Sequence, residues 1–209
     1  MPPPVSLRTI VYVDGFNFYY GVLKNTPYKW LDLERFYTLL LPHDRIQTIK
    51  FFTSLVGPGP HRVRQDTLLK ALRTCAPMVE VILGRFKTKK VVCRNCTGST
   101  RRVPEEKRTD VNIGIHMIDD AHRGRCEQQV VVSGDSDLVP AVRMVREGFP
   151  QIKTTVYIPA RTKQRGAAAE LREAADRSNH VPLQLLPLAQ LPPRIPDGVG
   201  GFIEKPAEW

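Results

Sequence analysis

The chain has 209 residues, 42% of them hydrophobic and 25% charged, the balance of a folded protein and not of a disordered one. Its 31 Lys and Arg against 21 Asp and Glu leave a formal net charge of +10, which favours a polyanionic partner: RNA, DNA or an anionic surface. No apolar run approaches the roughly 20 residues of a membrane span, residues 1–6 lack the charged and then apolar pattern of a signal peptide, and four cysteines in a chain this long are no disulfide framework. The expected compartment is the cytoplasm, with no membrane partner.

Arg8 to Val13 is β-branched and aromatic and ends on Asp14-Gly15, which predicts a buried strand and a sharp turn. Phe16 to Leu23 has helical spacing, and Trp30 to Leu41 repeats it until Pro42. Ile46 to Val56 predicts a second strand, Gly57-Pro58-Gly59-Pro60 a break, His61 to Cys75 an amphipathic helix, and Val79 to Leu83 a third strand.

The alternation then stops. Arg85 to Arg108 holds nine Lys or Arg and two Glu, a net +7 in 24 residues, with Cys93 and Cys96 inside it. This basic stretch is expected to be an exposed hairpin or loop excursion. Helices follow at Thr109–His122, Leu138–Glu147 and Gly166–Asp176, with strands at Gln129–Ser133 and Lys153–Ile158. The last 28 residues, 182–209, contain six prolines and suit an extended tail, although Leu183, Leu185, Leu186, Leu188 and Leu191 offer apolar surface for the core or a partner. The domain is thus expected at 1–181, with an insertion at 85–108 and a tail at 182–209.

Strands alternating with helices imply βαβ units and a mostly parallel sheet covered on both faces, an α/β fold. Ligands bind at the carboxyl ends of such strands. Asp14 follows the first strand, Asp135 and Asp137 follow the fourth, and Asp110 opens a helix that starts on that same edge. Singly, each has a bland reading as a turn residue, a helix cap or a partner of a helix dipole. Together they would repel one another unless some were protonated or a cation lay between them. All-oxygen ligation suits Mg²⁺ or Mn²⁺, which can activate water at a phosphodiester.

Three motifs occur in order: Val11-Tyr12-Val13-Asp14-Gly15-Phe16-Asn17, Glu106-Lys107-Arg108-Thr109-Asp110-Val111 and Ser133-Gly134-Asp135-Ser136-Asp137-Leu138-Val139-Pro140. Over Arg8 to Val181 the chain resembles the NYN domain family of the PIN-like nuclease superfamily, in its bacterial LabA-like or DUF88 group. The resemblance implies a PIN-like three-layer α/β/α sandwich and metal-dependent hydrolysis of RNA. It points to Asp14, Asp110, Asp135 and Asp137 as the catalytic and metal-binding set. Asn17 matches a polar position that would orient Asp14 or substrate, Ser133 would support the ligands by a hydrogen bond, Lys107 would approach a phosphate, and Glu106 is a further ligand candidate.

Arg94, Arg101, Arg102, Lys107 and Arg108 would contact RNA phosphates beside the acidic edge. No aromatic stripe of the RNA-recognition type accompanies them, so base-specific readout is not indicated. Cys93 and Cys96 have the spacing of half a structural zinc site, and also read as an ordinary metal-free hairpin pair or as a redox pair. Two chains giving two cysteines each would complete the zinc site, an arrangement that implies a homodimer. The rival to a ribonuclease is a non-catalytic RNA-binding or scaffold module on the same fold. A HAD-type phosphatase fits poorly, because the acid expected two residues after Asp14 is Phe16.

Overall fold

The computed structural model describes residues 6–92, 100–160 and 168–209, with residues 85–92 and 100–107 described as strand backbone. In chain order the elements are β1 (Arg8–Asp14), α1 (Gly15–Phe18) running into a π-helical turn (Tyr19–Leu23), α2 (Leu33–Leu40), β2 (Arg45–Thr53), α3 (Pro60–Cys75) and β3 (Val79–Leu83). β4 (Arg85–Val92), β5 (Thr100–Lys107), α4 (Thr109–His122), β6 (Gln128–Val132), α5 (Val139–Gly148), β7 (Lys153–Ile158), α6 (Ala169–Ala174) and β8 (Arg177–His180) follow. The chain closes with a 3₁₀ segment (Leu183–Ala189), β9 (Arg194–Pro196) and β10 (Phe202–Glu204).

Six strands form one parallel sheet in the order β3-β2-β1-β6-β7-β8. The period of two along β1 divides its side chains between two cores. Val11 and Val13 pack with Phe18, Phe36 and Leu72 on one face, and Ile10 and Tyr12 pack with Ile113, Met117 and Val142 on the other. Both faces are covered, as a parallel sheet requires, and the architecture is the expected α/β sandwich. The chain winds outward from β1 through β2 to β3, then returns to β6 beside β1 and winds out the other way. The β1–β6 junction is therefore the topological switch point, where a parallel sheet leaves a crevice at its carboxyl edge.

The basic excursion forms an antiparallel hairpin of its own, β4 with β5, pairing Arg85 with Lys107 and Val92 with Thr100. It ends one residue before α4, and Arg108 makes the turn with a φ of 79°. Arg94 and the Cys93/Cys96 pair lie outside the described residues.

Three expectations need correction, and one strand had none. The helix expected from Trp30 starts at Leu33, because Asp32 caps it by accepting the amide of Arg35 at 3.0 Å. The run from Phe16 is not one α-helix: it widens into a π turn that ends with the Lys24 amide on the Tyr19 carbonyl at 2.7 Å. Arg177–His180 is an edge strand that its polar side chains concealed.

The third correction concerns the Pro-rich tail, which is packed and not extended. Leu186, Ala189, Leu191 and Ile195 are buried in the same core as Val11 and Val13. Trp30 Nε1 donates to the Pro192 carbonyl at 2.8 Å, Leu31 bridges Gln190, and Trp209 lies against Trp30 with ring centroids 6.3 Å apart. The prolines restrict the chain to the turns this path needs, and the intervening leucines provide the burial.

Candidate active site at the sheet switch point

Asp14 ends β1 opposite the end of β6, where Val13 pairs with Val132. Its side chain turns inward. It caps α1 by accepting the Asn17 amide on Oδ1 at 3.0 Å, and its Oδ2 takes Asn17 Nδ2 at 2.7 Å and Ser133 Oγ at 2.9 Å. Only 3% of Asp14 is exposed. Gly15 is required next to it, since a Cβ there would come within 2.7 Å of the Phe52 carbonyl.

Asn17 and Ser133 tie this corner to the β6 loop. Asn17 Oδ1 accepts the Gly134 amide at 3.3 Å, and Ser133 Oγ accepts the Asp135 amide at 3.1 Å. Asp135 in turn caps the short 3₁₀ turn Ser136–Leu138, its Oδ1 accepting the Asp137 amide at 3.0 Å. Asp110 sits in the first turn of α4, where the helix dipole favours its charge.

Carboxylate oxygens of Asp110, Asp135 and Asp137 lie within 4.8 Å of one another. Among the described residues this is the group able to hold a metal ion. Asp14 is not part of that group, although its charge reaches Asp110; its two oxygens carry three protein donors.

The electrostatics record the crowding. Burial, followed by the charges of Asp14, Asp135 and Asp137, raises Asp110 from 3.8 to about 6. Burial also raises Asp14, with a further push from Asp135, against the opposing pull of the Asn17 and Ser133 donors. A carboxyl raised to about 6 marks a site that lacks positive charge. Three close carboxylates, half-buried to exposed, suit a hard divalent cation with oxygen preference.

A profile of the NYN domain matches residues 8–182. The chain belongs to the NYN domain family. NYN domains are part of the PIN-like superfamily, whose members are generally nucleases that use divalent metals. The chain is 30% identical, over a 240-residue alignment covering 97% of it and 75% of the relative, to 6-hydroxy-3-succinoylpyridine 3-monooxygenase HspA of Pseudomonas putida (strain DSM 28022 / S16). Its fold is similar to the crystal structure of a protein of unknown function from Vibrio parahaemolyticus RIMD 2210633. That likeness has a TM-score of 0.52 and 20% identity and covers 87% of this chain and 97% of the other.

Of the expected RNA contacts, Arg108 is exposed at the start of α4, and Arg101, Arg102 and Lys107 belong to the β5 backbone. Among the described residues no helix is long and apolar enough to cross a membrane. Sequence reasoning missed a cavity of about 780 Å³ that none of the four aspartates lines, whose walls include Gly15, Phe16, Tyr20, Arg64 and Trp209. Its one local signal was the aromatic run Phe16-Asn17-Phe18-Tyr19-Tyr20, which reads equally well as core.

Proposed function

We propose that this NYN protein is a metal-dependent ribonuclease. The observation that carries the reading is the convergence of Asp110, Asp135 and Asp137 at the switch point of an NYN fold, with Asp110 raised by burial and then by its acidic neighbours. These three carboxylates would hold Mg²⁺ or Mn²⁺. A cation bound there would supply activation of water and neutralisation of charge at a phosphodiester. Asp14 would set the field behind the ligands, Ser133 and Asn17 would fix Asp14 and the Asp135 loop, and Arg94, Arg101, Arg102, Lys107 and Arg108 would hold the RNA backbone. The charge of the basic segment offsets the repulsion between RNA and an acidic pocket.

With Mn²⁺ the parent protein should degrade a labelled single-stranded RNA, EDTA should arrest it, and Asp135→Asn should abolish turnover while leaving the melting curve within a few degrees. Salt-sensitive binding without turnover would select the non-catalytic module instead. The relative's name supports a second reading, oxygenation of a small pyridine in the cavity. Oxygen uptake that depends on both 6-hydroxy-3-succinoylpyridine and an added two-electron donor such as NADH, with no RNA cleavage, would select that one.

A further inference from the structure

The cavity of about 780 Å³ lies on the α3 face of the sheet and has the size of a pocket for a whole small molecule. Its walls come from three segments distant in sequence: the π turn, the loop at 56–60 with the first turns of α3, and Glu208 with Trp209. The inner lining is apolar, since Phe18, Leu23, Leu33, Leu69 and Leu72 are each at most 6% exposed. Aromatic rings enter from separate elements: Phe51 from β2, Tyr20 from the π turn, and Trp209. Gly21 fixes the π turn, because a Cβ there would overlap the Pro159 carbonyl. Such turns cluster at functional sites.

Charged groups gather where the walls are exposed, and they meet partners there. Arg64 donates to Glu208 Oε1 at 3.1 Å and to His61 Nδ1 at 3.0 Å, and Lys24 Nζ stands 4.8 Å from the Tyr20 ring centroid. Burial and Tyr20 raise the Tyr19 phenol while Arg64 draws it down, so α3 and the π turn face each other at this rim. One polar side chain of the lining, Thr53, is only 4% exposed. Its hydroxyl accepts Gln65 Nε2 at 3.3 Å, and among the described residues its own proton meets no acceptor. Gln65 is fully engaged, giving Nε2 also to the Ser54 carbonyl at 3.0 Å and taking the Val56 amide on Oε1 at 2.9 Å. A buried donor without an acceptor costs free energy until a ligand supplies one.

We propose that this cavity binds an uncharged planar aromatic molecule of two or three fused rings. Its rings lie among Phe51, Tyr20 and Trp209, and a carbonyl oxygen or ring nitrogen accepts from the Thr53 hydroxyl. Size sets the ring number, because a single ring would leave most of the space empty and forfeit contacts with the walls. The lining sets the charge, because an ion against the leucines would lose its hydration for one hydroxyl. The inference requires neither the ribonuclease nor the oxygenase reading. Glu208 and Trp209 lie beyond residues 8–182 that the NYN profile matches, so the site draws on residues outside the family domain as well as inside it.

The test is fluorescence titration of the full chain, in EDTA, with 7-methoxycoumarin, a neutral fused bicycle with a carbonyl, and with naphthalene, which has no acceptor. The coumarin should saturate at one molecule per chain. Trp209→Ala and Tyr20→Ala should each weaken both probes about 2- to 12-fold, the range for one aromatic contact. Thr53→Val should weaken the coumarin about 2- to 12-fold, the range for one hydrogen bond, and leave naphthalene bound at least as tightly as by the parent. Absence of saturable binding would overturn the proposal, as would unchanged affinity in either ring variant at an unchanged melting temperature. So would an equal loss of both probes in Thr53→Val. Displacement of the coumarin by a 12-nucleotide oligouridylate or by laurate would overturn it too, and would make the occupant an RNA strand or a lipid chain. RNA cleavage, present or absent, leaves these binding results standing.

Discussion

Replacing Asp110 by Asn should stabilise the metal-free protein. Burial and the carboxylates of Asp14, Asp135 and Asp137 raise Asp110 to about 6, whereas in an unfolded chain it would titrate near 3.9. A carboxyl raised in the folded state keeps its proton longer there than in the coil. Folding therefore loses stability as pH climbs from about 4 to about 6, and the loss persists above that. At about 1.4 kcal/mol per tenfold change, the unscreened cost is about 3 kcal/mol. Asp110 is half-buried, so solvent reduces this to about 1–2 kcal/mol, and the lost attraction to the α4 dipole removes a few tenths more. Asn keeps the shape and cannot ionise. In urea at pH 7.5 with EDTA, Asp110→Asn should gain about 1 kcal/mol, seen as a higher midpoint at unchanged slope. At pH 3.5, where both side chains are neutral, the gain should vanish. With Mn²⁺ the order should reverse, because only the parent keeps all three ligands and gains stability by binding. A variant no more stable than the parent at pH 7.5, or one whose advantage survives at pH 3.5, would refute the reasoning.

Ser133→Ala removes a buried hydroxyl that donates to Asp14 and accepts from the Asp135 amide; it should cost about 1–3 kcal/mol in denaturant and lower turnover with it. Lys50→Met breaks a buried pair in which Lys50 Nζ donates to Asp120 Oδ2 at 2.6 Å. Tyr12 and Arg125 still hold Asp120, so a loss of about 3 kcal/mol by equilibrium unfolding is expected. Gly21→Ala should cost about 1–3 kcal/mol by forcing the π turn off Pro159, whereas Gly148→Ala, where a Cβ meets nothing within 4 Å, should be neutral or slightly stabilising in the same melt.

Five of the six sheet strands were legible because each is a β-branched or aromatic run between breakers, as the inner strands of a covered parallel sheet must be and as the edge strand β3 also is. β8 was not, because an edge strand needs no apolar face: Arg177-Ser178-Asn179-His180 pairs through its backbone with β7. The tail was misread for the opposite reason. Its prolines are a local signal, while its docking depends on Trp30, 162 residues from the Pro192 carbonyl that its indole meets. The cavity escaped detection on the same ground, as three segments with no shared motif build it.

The acidic site shows where such reading stops. Strand ends and a helix start were enough to bring four aspartates to one edge, since the parallel order of β1 and β6 leaves no other edge for them. Which way each carboxylate turns depends on donors one or two residues away. Asn17 and Ser133 draw Asp14 inward, and the Ser133 hydroxyl also takes the Asp135 amide, starting the turn in which Asp135 caps the Asp137 amide. One hydroxyl thus holds the buried acid back and steadies the loop of its exposed neighbours. Asp14 still acts on the converging three through its charge, the first carboxylate after burial to raise Asp110. A divalent cation among Asp110, Asp135 and Asp137 would relieve that repulsion from all four, so Asp14 would favour metal binding without being one of the converging ligands.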